Sequence, residues 1–162
     1  MQAKKQILYM KIKVKGEIII PVEAPKVFSF IANLENDKLW RKEINYSKIN
    51  GEIQLGTVVK ESSYLSKRVP ENILELICTE FNLNHLITYT TIENHAFYLQ
   101  SKRIVIPINT HHSKFIYEII FDKSLVKHGI GFNLPNFLIK MVAQSDMNKY
   151  LKKLKQILEA KS

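Results

Sequence analysis

The chain of 162 residues contains little cysteine and no long apolar run. Its single cysteine, Cys78, cannot form an intramolecular disulfide, so a reducing cytoplasm is the expected compartment. No stretch approaches the roughly 18 consecutive apolar residues of a membrane-spanning helix. The N-terminus has only the short apolar run 7–10 before lysines alternate with apolar residues, and no export signal is therefore expected.

Arginine is also scarce, because only Arg41, Arg68 and Arg103 are arginines among the 24 basic residues. Bidentate recognition of phosphates and bases favours arginine, so no specific nucleic-acid partner is expected despite the net charge of +9. The lysines, among them Lys4 and Lys5, would create a diffuse positive field that attracts anionic surfaces weakly. A solvated basic face is the simpler interpretation, and the oligomeric state stays open.

Motifs of cofactor, metal and nucleophilic chemistry are missing. The sequence has no phosphate-binding glycine loop and no nucleophile elbow. The histidines fall in or near predicted turns without metal-ligand spacing, and they are His85, His95, His111, His112 and His128. We therefore expect no metal and no cofactor, and we interpret Cys78 as a buried, inert thiol.

The longest helical pattern covers residues 134–161, where apolar side chains recur at three- and four-residue spacing. A chain of this length and 46% hydrophobic content predicts one domain over residues 1–162. The wide apolar face predicts a long helix that packs along a sheet, and it comprises Leu134, Phe137, Leu138, Met141, Val142, Met147, Tyr150, Leu151, Leu154 and Leu158.

The chain before this helix alternates like a series of strands. A strand is predicted over 11–21, followed by a short helix that begins near Pro25 and a helical turn that ends at Trp40. Residues 123–133, which contain Gly129 and Gly131, are predicted to link the last strand to the long helix. Further strands are predicted over 45–50, 57–65, 73–81, 86–92, 97–106 and 114–121. This order predicts an α+β domain with an antiparallel sheet.

Four segments in this order carry a family resemblance: VEAPKVFSFIANLENDKLW after the first strand, GEIQLGTVVKE, TEFNLNHLITY, and YLKKLKQILEAK at the end. The chain resembles the START/SRPBCC (helix-grip) superfamily, in particular its polyketide cyclase/dehydrase and lipid-transport-like branch. The resemblance implies a curved antiparallel sheet of six to seven strands wrapped around the C-terminal helix, with two short helices after the first strand. It also implies an apolar cavity, which relatives use for lipids, sterols or polyketides, mostly without a cofactor. A filled core would give the same apolar helix face.

Strand alternation nominates residues for the inner face of the sheet. In the last strand Phe115, Tyr117 and Ile119 share one face, and we expect this aromatic face to point inward. The hydroxyl of a buried Tyr117 needs a polar partner, which either the protein or a ligand can supply.

The family pattern turns Val59, Glu61 and Ser63 inward on the third predicted strand. A carboxylate in an apolar cavity has a raised pKa, so Glu61 is the candidate acid or base, although a register shift of one residue would place it in solvent. If the odd-numbered residues of the strand 97–106 face inward, Arg103 would pair with Glu61 or hold a ligand carboxylate. We favour the opposite arrangement, in which Arg103 lies at the surface.

Analogy with relatives completes the predicted lining with Trp40, Phe137, Met141 and Tyr150, for which ordinary core packing is the alternative. Three functions follow from these patterns. The first is binding or transport of a hydrophobic small molecule, and the second is cofactor-free cyclase or dehydratase activity that uses Glu61, Arg103 and Tyr117. The third is a protein-interaction module of the co-chaperone or ribosome-associated type.

Overall fold

The computed structural model describes residues 11–93 and 95–162. The predicted N-terminal features, namely Lys4, Lys5 and the apolar run 7–10, lie outside the described residues.

Seven strands form one antiparallel sheet in the order β1-β7-β6-β5-β4-β3-β2. Their bounds are β1 Lys11–Ile20, β2 Ile44–Asn50, β3 Val58–Ser63, β4 Asn72–Asn82, β5 Leu86–Thr91, β6 Leu99–Pro107 and β7 Ser113–Asp122. The first and last strands of the sequence, β1 and β7, pair directly with each other. Register shifts in β2 and β4 mark irregularities of the kind that bend strands, and the sheet is curved. The predicted α+β class and its seven strands are confirmed.

Two short helices separate β1 from β2. Helix α1 (Ala24–Ala32) has Pro25 in its first turn, where the missing amide hydrogen costs nothing, and it buries Phe28 and Ile31. A short 3₁₀ helix (Leu34–Leu39) follows and ends at Trp40. Asn33 begins it, since its side-chain oxygen accepts a hydrogen bond from the Glu35 amide at 3.0 Å.

The residues between β7 and the long helix form a helix of their own, so the predicted linker over 123–133 is wrong. Helix α2 (Lys123–Ile130) includes Gly129 and ends at Gly131, whose φ of 87° is the left-handed conformation that glycine tolerates. The Gly131 amide donates a hydrogen bond to the Lys127 carbonyl oxygen at 2.8 Å. Glycine content suggested a loop, whereas one glycine lies inside the helix and the other stops it.

The long helix α3 (Asn136–Lys161) packs chiefly along β1. A Cβ atom on Gly16 would lie 2.8 Å from Leu151 Cδ1 and from Met147 Cγ, so the absence of a side chain there permits this close approach. The helix begins two residues later than predicted, after Pro135. In the described part of the chain, no helix is long and apolar enough to cross a membrane.

The predicted apolar face of α3 is buried only in its second half. Met147, Leu151, Leu154 and Leu158 belong to the core, as does Ile139, which the predicted stripe did not include. By contrast, Phe137 is 68% exposed. The prediction that the whole apolar face is buried is therefore wrong for the N-terminal part of the helix.

Candidate functional site

A network of buried charges lies at the centre of the fold. Arg103 on β6 has no exposed surface, and its side chain lies on the same inner face as those of Ser101 and Val105. Its guanidinium donates to the two carboxylate oxygens of Asp37, with Nη1 at 2.8 Å from Oδ1 and Nη2 at 2.5 Å from Oδ2. Nη1 also donates to the Ile31 carbonyl oxygen at 2.7 Å, and Nε donates to Ser101 Oγ at 3.1 Å. These bonds fix the orientation of the Arg103 side chain.

A second arginine shares the same carboxylate. Arg41, directly after the 3₁₀ helix, donates from Nη1 to Asp37 Oδ2 at 2.9 Å. Its Nη2 and Nε donate to Glu43 Oε1 at 2.7 and 3.0 Å. Burial lowers the pKa of Arg41, but nearby Tyr117 and the carboxylates raise it more strongly, so both guanidinium groups stay charged.

Glu61 on β3 completes the network from the opposite side. Its Oε2 lies 3.7 Å from Arg41 Nη1, beyond ordinary hydrogen-bond distance, and the residue is 2% exposed. Burial raises the pKa of Glu61 from 4.5 to about 7, and the opposing attraction of Arg41 reduces this effect. Glu61 can thus exchange a proton near neutral pH.

Aromatic rings cover one side of the two guanidinium groups. The rings of Trp40 and Tyr117 meet edge to face at 5.4 Å, and Tyr117 stacks on Phe115 at 6.0 Å. The Arg103 guanidinium carbon lies 5.2 Å from the centre of the Tyr117 ring and 5.5 Å from that of Trp40. Each ring therefore stabilises a cation in the interior.

Several polar atoms around this network have no hydrogen-bond partner. Among the described residues these include Trp40 Nε1, Glu43 Oε2 and the Tyr117 hydroxyl. Burial raises the pKa of Tyr117, and the nearby Arg41 and Arg103 side chains oppose this shift. Since an unsatisfied buried polar group costs about 1–3 kcal/mol, these atoms favour any added group that bonds to them.

The charge balance of the network depends on Glu61. Two guanidinium groups face three carboxylates, those of Asp37, Glu43 and Glu61. The cluster has a formal charge of −1 when Glu61 is ionised and zero when Glu61 holds a proton. Its interior therefore disfavours an additional anion and accommodates a neutral polar group.

The structure brings most of the predicted site residues together. Those buried in the interior are Trp40, Val59, Glu61, Ser63, Arg103, Phe115 and Tyr117. Tyr150 is also buried and lies beside Glu43, while Ile119 is only half-buried. The structure does not bring Phe137 and Met141 to this site, because they are 68% and 60% exposed on α3.

The prediction that Arg103 lies at the surface is wrong. Its side chain points inward, and its acidic partner is Asp37 and not Glu61, which the sequence suggested. Sequence reasoning missed Asp37, Arg41 and Glu43 as members of the site. The spacing of Asp37 and Arg41 is four residues, which places their side chains on one side of a helical turn. That signal, together with an inward arginine that needs an acidic partner, was available in the sequence.

No pocket among the best-formed ones of the described chain opens into this interior. Two surface depressions have volumes of about 350 Å³ each. The first lies on the outer side of β2–β4, and the second lies between α1 and the C-terminal end of α3. Neither depression is lined by Trp40, Glu61 or Tyr117. Across residues 11–93 and 95–162, no group of three metal-binding side chains is assembled.

Comparison with known proteins relates the fold to one superfamily. The sequence matches no protein-family model, and a search of curated proteins finds no match. A START superfamily protein from Mycobacterium smegmatis is 12% identical, with 93% of this chain and 99% of that chain covered and a TM-score of 0.72. The Zhui aromatase/cyclase from a Streptomyces species is 13% identical, with 92% and 94% covered and a TM-score of 0.70.

A plant protein extends the comparison. Truncated norcoclaurine synthase from Thalictrum flavum is 11% identical, with 91% of this chain and 93% of that chain covered and a TM-score of 0.60. At these identities the likeness establishes the fold alone. The chain has the helix-grip fold of START superfamily proteins, as its sequence predicted.

The shared carboxylate of Asp37 gives a first prediction. Replacing Arg103 by Met should lower the free energy of unfolding by about 3–5 kcal/mol, because Asp37 loses its bidentate partner. The double variant R103M/D37L should lose less than R103M alone, since it removes both charges. Urea denaturation measures both values, and K102M on the same strand is the half-exposed control. A double variant less stable than R103M would contradict the ion-pair explanation.

The raised pKa of Glu61 gives a second prediction. Between pH 4.5, where Glu61 ionises in the unfolded chain, and about 7, the folded state binds more protons. The free energy of unfolding contributed by Glu61 therefore falls as pH rises through this window, by at most about 1.4 kcal/mol per unit. E61Q lacks this fall and should gain stability relative to the native protein from about pH 5 to pH 8.

Urea denaturation at both pH values tests this expectation. The matched control is E75Q, which removes an exposed carboxylate from the neighbouring strand β4. A stability difference between E61Q and the native protein that is the same at both pH values would show that Glu61 titrates normally.

Proposed function

We propose that this protein binds a hydrophobic small molecule between the sheet and α3, with a neutral polar group of the ligand directed to the buried charge network. The observation that carries the proposal is the pair of unpartnered polar atoms, Trp40 Nε1 and the Tyr117 hydroxyl, on adjacent aromatic rings. An indole nitrogen only donates, so the ligand must present an acceptor such as a carbonyl or hydroxyl oxygen.

The surroundings of these atoms support an apolar ligand body. Phe115 and Val59 have no exposed surface, and Phe115 packs on Trp40 beside the network. Apolar contact with such side chains contributes about 25 cal/mol for each Å² removed from water. Helix-grip proteins that include an aromatase/cyclase share this layout, which supports the proposal by fold analogy only.

The charge balance supports a neutral head group over an acidic one. With Glu61 ionised, a ligand carboxylate would bring a fourth negative charge to two guanidinium groups. The arginines already direct their donors to protein acceptors, so few remain for a ligand anion. Sterol-like alcohols and ketones, or polyketide carbonyls, therefore fit better than fatty acids.

Native mass spectrometry of freshly purified protein, followed by organic extraction, tests the proposal. We expect a stoichiometric apolar molecule, or a thermal shift with neutral sterols or polyketides that exceeds the shift with fatty acids. Y117F should weaken this binding without loss of stability, since it removes a hydroxyl that has no partner. Y64F, at an exposed tyrosine, is the control. An empty extract together with no thermal shift across the panel would refute the proposal.

A second candidate function is a cofactor-free cyclase or dehydratase. Glu61 favours it, because a buried carboxyl group with a pKa of about 7 is suited to proton transfer at neutral pH. The Tyr117 hydroxyl, which has no hydrogen-bond partner among the described residues, can donate to a developing enolate oxygen. In this mechanism, Glu61 removes a proton from the carbon next to one ligand carbonyl, and that carbon attacks a second carbonyl carbon of the folded substrate. The π bond of the second carbonyl opens, and its oxygen takes up the proton that Glu61 holds.

Turnover of a poly-β-ketone probe to an aromatic product, followed by absorbance, tests this activity. E61Q should abolish turnover while the probe still binds, and E75Q should retain the native rate. Equal rates for E61Q and the native protein would exclude Glu61 as the acid or base and leave the binding function intact.

A further inference from the structure

The start of α3 exposes apolar side chains that no described residue covers. Phe137, Met141 and Val142 are 68%, 60% and 57% exposed, and Phe132 in the loop before the helix is 60% exposed. We call these four residues the α3 apolar face. Contiguous exposed apolar groups of this size on a folded protein usually mark an interaction site.

Helix geometry shows that this exposure is not the edge of the core. Phe137 and Met141 are four residues apart and share one side of the helix, whereas Ile139 points to the protein and is 5% exposed. The first half of α3 is therefore apolar on two opposite sides. A surface helix needs only one apolar side for its own core, so the other side requires a second apolar environment.

The charges around this face are mostly positive. Residues 123–145 contain no aspartate or glutamate, and the neighbouring loop over 64–71 has two cations and one acidic residue, Glu71. Arg68 Nη1 lies against Gly131, directly before Phe132, so this loop borders the face. The cations of the two segments form no ion pair with any residue in the described ranges 11–93 and 95–162, and they are Lys67, Arg68, Lys123, Lys127 and Lys140.

We propose that the α3 apolar face docks on an anionic lipid membrane. Phe and Met side chains would enter the boundary between head groups and acyl chains, while the lysines remain at the level of the anionic head groups. Each basic residue near such a surface strengthens binding electrostatically, and the scarcity of acidic residues around the face limits repulsion. The proposal is independent of whether the interior binds a ligand.

Two other occupants fit less well. A second copy of the chain would bring the same cations face to face in a two-fold contact, and like charges at an interface oppose association. Protein partners favour arginine and disfavour lysine at their interfaces, whereas four of the five cations here are lysines. Lysine beside phenylalanine is instead typical of helices that lie in a membrane surface.

Flotation of the full chain with lipid vesicles tests the proposal. We expect binding to phosphatidylcholine vesicles that contain phosphatidylglycerol, weaker binding to pure phosphatidylcholine, and release by added salt. F137Q/M141Q should reduce the partition coefficient more than about tenfold. K127Q/K140Q should reduce it roughly 25-fold, at about fivefold for each lysine removed.

Matched variants separate a defined surface from general stickiness. L55Q/L83Q removes two apolar side chains that are 64% and 66% exposed in distant turns. K152Q/K153Q removes the same charge from the exposed side of the far half of α3. Both control variants should bind anionic vesicles like the native protein, and circular dichroism should show that all four variants are folded.

Three results would overturn the proposal. One is absence of binding to anionic vesicles at low salt. Another is an equal loss in K127Q/K140Q and K152Q/K153Q, which would show attraction by net charge alone. The third is dimerisation by sedimentation that F137Q/M141Q abolishes, without vesicle binding, which would assign the face to a second copy of the chain.

Discussion

The carboxylate of Asp37 holds the interior of this protein together. It accepts hydrogen bonds from Arg103 on β6 and from Arg41 at the start of the segment that leads into β2. Because Arg103 also binds the Ile31 carbonyl oxygen, one guanidinium joins the sheet to α1 and to the 3₁₀ helix. A buried ion pair adds little net stability compared with an apolar core, but removing one partner is costly. The network therefore fixes how the short helices sit on the sheet.

The position of Trp40 follows from this network. Trp40 lies between Asp37 and Arg41 in the chain and packs on Phe115 and Tyr117 of β7. The charges thus bring two aromatic rings with unpartnered polar atoms to the same place. An interior held by charges and rings differs from a purely apolar cavity, because it presents unpartnered polar atoms beside apolar side chains.

Sequence alternation predicted the inner face of β7, where Phe115 and Tyr117 are buried, because the side-chain period of two depends only on the backbone. Alternation did not decide which face of β6 is buried, and the inward position of Glu61 followed from the family pattern. The Asp37 contacts could not be read in the same way, since they join residues 66 positions apart and depend on how the 3₁₀ helix meets β6. Helix periodicity also failed at Phe137, where an apolar residue in a helical pattern carries no signal of which side the core occupies.

The two halves of α3 show why net charge alone does not locate a surface. Lysines are more frequent in the second half, where Glu159 pairs with Lys155, and Asp146 near the middle of the helix pairs with Lys42. Its apolar residues, such as Leu154, are buried against the rest of the fold. Within the described ranges of the chain, the part of α3 before Asp146 combines exposed apolar side chains with a lysine, Lys140, that forms no ion pair. Coincidence of these two properties, rather than either one, distinguishes an interfacial surface from an ordinary solvated helix.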